Sequence, residues 1–246
     1  MVVAILAEVL ACRWRSEKWP GSLFQTGNIG LLLEMLYGAN VNNAGINGAV
    51  MNWDAFKASE ASPEKIDWNE FKTETYEVAK ECLETNYYGA KRMIEAFLPL
   101  LQLSNLPRIV NVSSIAGKLK NIPCEWAKGV LSDAESLTEE KIDEVLNKFL
   151  KDFQDGSLEA RGWPVFLPAY KVSKAAMNAY TRVAAKDYPT FRINCVCPGF
   201  VKTDINNNAG ILSVEEGAAS PVKLALLPDD GPTGCFFVRN EVSSFE

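Results

Sequence analysis

Two short runs rich in β-branched residues constrain the fold of this chain more than any other feature. Arg108-Ile109-Val110-Asn111-Val112-Ser113-Ser114 opens after Pro107 and closes before Gly117, and Phe191 to Cys197 stops at Pro198-Gly199. Each reads as a buried strand. Helical patterns stand between and around them, and Cys235-Phe236-Phe237-Val238 reads as a last short strand. Strands that alternate with helices imply a parallel sheet covered on both faces. The fold class is therefore α/β, a doubly wound parallel sheet.

The helices carry their own signals. Asp67 to Leu101 reads as one long helix, with Asp67 as N-cap and Glu70 three residues on, interrupted near Asn86 and Gly89 and ending around Pro99. Ser136-Leu137-Thr138-Glu139 has capping-box form, and Ile142, Val145, Leu146, Phe149, Leu150 and Phe153 then recur at three and four. An alanine-dense helix is expected from about Ala169 to Lys186, and Ser213-Val214-Glu215-Glu216 opens another. Residues 1 to about 40 differ: their apolar pieces show no strand–turn–helix order, so they stand apart as an atypical N-terminal segment.

Composition narrows the chemistry. The 246 residues carry 25 Lys and Arg against 31 Asp and Glu, a net charge of -6, which argues against nucleic acid as a partner. There are 0 His, so Ser-His-Asp and Cys-His mechanisms and His-ligated zinc are excluded. Acid–base work must fall to carboxylates, Lys, Tyr or Cys. The six cysteines form no C-x-x-C pair, which suits a reduced, cytoplasmic setting; Cys195 and Cys197 point to one face of a strand but lack further metal ligands. No apolar run approaches the ~18 residues of a membrane span. Met1 to Ala11 contains Glu8 and lacks a preceding basic residue, unlike a signal peptide. A soluble protein is expected.

Tyr170-Lys171-Val172-Ser173-Lys174 places Tyr170 and Lys174 one helical turn apart on one face. In isolation such a pair reads as an exposed phenol beside a solvated ammonium. In a dry cleft, the ammonium and a cofactor cation would instead bring the phenol toward neutral pH, at a differential stabilisation of roughly 4 kcal/mol. The surroundings favour the cleft. Asn42-Asn43-Ala44-Gly45 follows a short apolar stretch, Ser113-Ser114 ends a strand, and Pro198-Gly199-Phe200-Val201-Lys202-Thr203 follows the next. All lie at or beyond strand ends, where open α/β sheets bind ligands.

N-N-A-G, the helix-borne Asn86 in Thr85-Asn86-Tyr87-Tyr88-Gly89, V-N-V-S-S, Y-x-x-x-K and P-G-x-x-x-T, in this order, resemble the short-chain dehydrogenase/reductase family over about residues 41 to 246. The wide spacing of 56 positions between Ser114 and Tyr170, and the stretch from Glu215 through Pro228 and Gly234, resemble its monomeric carbonyl-reductase-like branch. The resemblance implies a Rossmann-like fold, and an insert at 118–168 that covers the face on which other members dimerise and roofs the substrate pocket. It implies NADPH (NADP+) as cofactor, a small-molecule carbonyl or alcohol of terpenoid or alkaloid type as substrate, and a monomer without membrane or nucleic-acid partners.

The same resemblance gives roles to single residues. Tyr170 would protonate the carbonyl oxygen, Ser114 would hydrogen-bond it, and Lys174 would lower the Tyr170 pKa and hold the nicotinamide ribose. Asn86 would anchor a relay water. Asn43, Ala44 and Gly45 would line the adenosine-side ribose, and Pro198, Gly199, Val201 and Thr203 the nicotinamide end. One element departs from the pattern. The family's T-G-x-x-x-G-I-G loop has only an echo in Thr26-Gly27-Asn28-Ile29-Gly30, too close to N-N-A-G for the roughly 60 residues of intervening elements. The first strands are therefore expected to be absent or rebuilt. The alternative to a working enzyme is a truncated, non-catalytic family member with impaired cofactor binding.

Overall fold

The computed structural model describes residues 38–52 and 71–246. Gly27 and Gly30 of the loop echo, and Asp67 and Glu70 of the expected N-cap, lie outside the described residues. The central sheet contains β1 (Ala39–Asn42), β4 (Arg108–Val112), β5 (Arg192–Cys197), β6 (Phe236–Val238) and β7 (Glu241–Ser243), side by side in that order. The first four run parallel, with Val41 beside Val110 and Ile109 beside Ile193. The edge strand β7, absent from the sequence reading, turns back antiparallel on β6 and pairs Val238 with Glu241. Its turn contains Arg239 at a positive φ of 56°, a conformation no β-propensity signal announces.

Pleat alternation divides the core between the two faces of this sheet. On one face Ile109 and Ile193 join a cluster with the buried residues of the helices α1 (Tyr76–Leu83), α2 (Gly89–Leu101), α3 (Glu125–Ser132), α4 (Glu139–Gln154) and α5 (Pro168–Asp187). On the other face Val110 and Val196 pack against Leu224 of α6 (Val214–Ala225), with Leu227 and Phe237. The doubly wound arrangement follows from this two-sided burial.

Two helix starts differ from the sequence reading. The helix expected from Asp67 begins instead at Tyr76, because Thr75 is the N-cap and accepts from the Val78 N–H at 3.3 Å. The residues just before it are extended: β3 (Lys72–Thr73) pairs antiparallel with β2 (Val50–Met51). α2 ends at Leu101, as the sequence reading has it, with Pro99 carried in the last turn. The cap of α4 is Thr138 rather than Ser136, since Thr138 accepts from Lys141 N at 3.4 Å while Ser136 bonds Asp133. By contrast, Ser213 and Glu216 form the full reciprocal capping box at the start of α6.

The insert lies against the α1 and α5 side of the molecule. Ile142, Val145, Leu146 and Phe149 of α4 are fully buried there, as their spacing requires. Trp163 closes the segment: its ring meets Phe149 edge-on at 5.2 Å, and its Nε1 donates to Asp152 Oδ2 at 2.9 Å. None of the helices among the described residues is long and apolar enough to cross a membrane.

Candidate active site

Helix α5 aims a polar stripe at the carboxyl end of β4. Tyr170, Lys174, Asn178 and Thr181 fall on one helical face, and four consecutive residues from β4 outward each engage one of them. Asn111 Nδ2 donates to Thr181 Oγ1 at 2.9 Å. Lys174 Nζ donates to the Val112 carbonyl at 2.8 Å. Ser113 Oγ donates to Asn178 Oδ1 at 2.6 Å, and Ser114 stands near enough to Tyr170 to lower the pKa of its phenol. Such a stripe is costly in a helix, because each buried polar group needs a partner, and here each has one.

Ser114 is presented by a sharp change of path. It ends the strand in extended geometry and N-caps the 3₁₀ turn Ile115–Gly117, accepting from Ala116 N at 3.1 Å. Gly117 is required where it stands, because a Cβ there would lie 2.5 Å from the Lys174 carbonyl carbon. The turn can therefore sit directly against the α5 backbone.

The break expected near Asn86 is a π-turn, Glu84–Tyr88, between α1 and α2. It holds the fully buried Asn86 amide against the chain after N-N-A-G: Oδ1 accepts from Ile46 N at 2.8 Å, and Nδ2 donates to Ile46 O at 2.9 Å. Nδ2 also donates to Ser173 Oγ at 2.9 Å, and Ser173 in turn donates to the Tyr170 carbonyl at 2.8 Å. Gly45 fits between Asn86 and Lys174; a Cβ on it would come within 3.3 Å of Asn86 Oδ1 and 3.5 Å of Lys174 Nζ.

Asn43 and Ala44 are exposed on the loop beyond β1. The loop after β5 closes beside it, since Asn47 Nδ2 donates to Ile205 O at 3.2 Å. Gly199 there adopts a φ of +97°, which a side chain would strain. Val201 pairs with Leu212, and a Cβ on Gly217 would lie 2.4 Å from a Val201 methyl, so that residue is fixed from α6. Thr203 caps the following turn through Asn206. The structure thus brings Asn86, Ser114, Tyr170, Lys174 and Gly45 into one connected cluster. Asn43, Ala44, Pro198, Gly199, Val201 and Thr203 lie on the two adjoining loops. Exposed apolar residues accompany these segments: Ile115 follows Ser114, Val165 and Phe166 precede Tyr170, and Phe200 follows Gly199.

The electrostatics depart from the sequence expectation. Burial pushes the Tyr170 phenol up to about 12, against the lowering effect of the nearby Ser114. Lys174 Nζ stands 5.8 Å from the centroid of the Tyr170 ring. Burial also brings Lys174 down to about 8. The pair alone therefore keeps the phenol protonated at neutral pH. Two thiols flank it, Cys82 from α1 and Cys197 from β5; burial raises that of Cys82 to about 11. Sequence reasoning missed Ser113, Ser173, Asn178 and Thr181 as partners. Their spacing on α5 and β4 was visible, but nothing marked it as different from ordinary helix and strand polarity.

A strand-end serine paired with a helix-borne Tyr-x-x-x-Lys, and an asparagine π-turn holding N-N-A-G, make this a dehydrogenase-type α/β site. The chain belongs to the short-chain dehydrogenase/reductase family. It is 60% identical over 206 residues to (+)-neomenthol dehydrogenase of Arabidopsis thaliana, a match that takes in 83% of this chain and 69% of that protein. It is 51% identical over 216 residues to salutaridine reductase of Papaver bracteatum, covering 83% of this chain and 70% of the other. Residues 156–234 match the family model described as enoyl-(acyl carrier protein) reductase. Among solved structures, salutaridine reductase from Papaver somniferum superposes with a TM-score of 0.77 at 48% identity, over 85% of this chain and 76% of that one.

Proposed function

We propose that this chain is an NADPH-dependent carbonyl reductase, converting a ketone or aldehyde of terpenoid or alkaloid type to the alcohol, or running the reverse. The placement of Ser114 beside the Tyr170 phenol, whose pKa it lowers, with Lys174 buried against the same ring, carries this reading. Relatives named for neomenthol, isopiperitenone and salutaridine support the substrate class. So does the apolar rim of Ile115, Val165, Phe166 and Phe200.

The residues present fit a nicotinamide nucleotide. Lys174 is only 4% exposed and, among the described residues, makes one hydrogen bond, to Val112 O, and the side-chain-free Gly45 leaves space beside its Nζ. An ammonium so buried has donors to offer, and ribose hydroxyls answer them. Asn43, Ala44 and Gly45 on one loop, and Pro198, Gly199, Val201 and Thr203 on the other, hold the rest of the nucleotide. When bound, the nicotinamide supplies hydride.

The chain's own residues handle the proton. Tyr170, protonated at neutral pH, gives its phenolic proton to the carbonyl oxygen as negative charge develops there. Ser114 hydrogen-bonds the same oxygen and stabilises that charge. Lys174 supplies a fixed positive charge beside the phenolate that remains. Asn86 keeps the N-N-A-G loop seated and anchors the water that returns a proton toward Lys174. The insert 118–168 covers the face over α1 and α5, which favours a monomer, and the free-thiol chemistry suits the cytoplasm.

Fluorescence titration with NADPH, followed by NADPH oxidation with a cyclic apolar ketone, tests the reading. Saturable binding and ketone-dependent oxidation are expected. Absence of both points to a non-catalytic family member, the reading first raised by the echo at Gly27 and Gly30.

A further inference from the structure

We infer that Asn178 is a positioning residue for Ser114, acting through the residues on either side of it. The inference rests on the carbonyl-reductase reading of the site. Asn178 sits one turn beyond Lys174 on α5 and is 3% exposed. Its Oδ1 accepts from Ser113 Oγ at 2.6 Å, and its Nδ2 donates to the Gly117 carbonyl at 3.1 Å. Ser113 precedes Ser114 directly, and Gly117 closes the 3₁₀ turn that Ser114 caps. One amide thus fastens both ends of the five-residue segment that carries the serine hydroxyl.

Asparagine is a poor choice for the interior of a helix and for a buried site unless both ends of its amide are used. Here both are used, and both on the same segment. Among the described residues, the other hydrogen-bond partner of Ser113 Oγ is the Lys174 carbonyl, at 3.5 Å, so Asn178 is its principal anchor. Gly117 packs on the α5 backbone at Lys174 and Ala175, which leaves the amide as the polar fixture of an otherwise van der Waals contact. Removal of Asn178 frees the 113–117 segment to shift, and Ser114 moves with it relative to Tyr170, while the Lys174 to Val112 bond is untouched.

The test compares Asn178→Ala in two backgrounds, with amide hydrogen exchange as a readout independent of turnover. In the native background the substitution is expected to lower kcat by about 10-fold or more, with the NADPH Kd within about twofold. Exchange at Ala116, whose N–H is held by Ser114 Oγ, is expected to accelerate. In a Ser114→Ala background the same substitution is expected to cost less than about twofold in kcat, because the group it positions is already gone. Asn178→Asp, which keeps the acceptor for Ser113, is expected to recover part of the loss. Ser113→Ala removes the same anchor with a smaller change of volume, and it stands in for Asn178→Ala if that variant does not fold. An equal kcat loss in both backgrounds, or native exchange at Ala116, overturns the inference. If the native chain neither binds NADPH nor turns over, the functional reading fails. The exchange measurement still decides whether Asn178 holds the Ser114 turn.

Discussion

Helices α4 and α5 lie against the same side of the molecule but are built on opposite principles. α4 buries an apolar stripe of Ile142, Val145, Leu146 and Phe149 and, Asp152 apart, leaves its charged residues at least partly exposed. α5 is buried nearly all round, and among its buried residues are Ser173, Lys174, Asn178 and Thr181. The first helix gains stability from area removed from water. The second spends stability on groups that must be dry to act: an ammonium brought down to about 8 and a phenol pushed up to about 12 are both disfavoured by their surroundings. The contrast teaches that in this fold the insert supplies stability while α5 carries the chemistry.

Substitutions should separate the two roles. Lys174→Met is expected to lower carbonyl reduction by about 10³-fold without lowering the unfolding temperature. Loss of a costly buried charge offsets the Val112 carbonyl left bare. A large loss of stability would break the contrast. Phe149→Ala on α4 should do the reverse: destabilise by about 3–5 kcal/mol in urea unfolding, with kcat per folded molecule unchanged.

The pH dependence of stability sharpens the same point. Lys174 has a folded value of about 8 against 10.5 for an ordinary lysine, so the unfolded chain binds more protons between those values. Its contribution therefore disfavours the folded state below about pH 8 and fades as the pH rises toward 10.5. The gain is on the order of 3 kcal/mol. Cys82 and Tyr170 act in the opposite sense at higher pH, so the quantity to read is native minus Lys174→Met, which should rise across that window. The smallest effect belongs to the insert's rim: Lys91→Met, breaking the ion pairs with Glu139 and Asp143, should change stability by less than about 1 kcal/mol.

The same two helices show what the sequence disclosed. α4 was legible from periodicity, because its burial is one-sided. α5 was legible from alanine content and the Tyr170–Lys174 spacing, and Ser114 from its place at a strand end. Hidden were the partners. Asn178 and Ser173 look like ordinary helix polarity until β4 and the Asn86 turn are placed beside them. The depth of Tyr170 was not legible, because a spacing of four fixes the neighbour but not the burial, and burial raises the phenol in the chain's own surroundings. The Thr75 cap was passed over because Asp67 and Glu70 have the spacing of a capping box in the sequence, and β7 depends on a turn through Arg239 that carries no glycine signal at that position.

The account stands or falls on Tyr170 as the proton donor in a chain without histidine. NADPH binding and single-turnover reduction of a cyclic apolar ketone, measured for the native chain and for Tyr170→Phe, test this directly. The variant is expected to bind NADPH with native affinity and to reduce the ketone about 10³-fold more slowly. Reduction by Tyr170→Phe within about tenfold of native would contradict it.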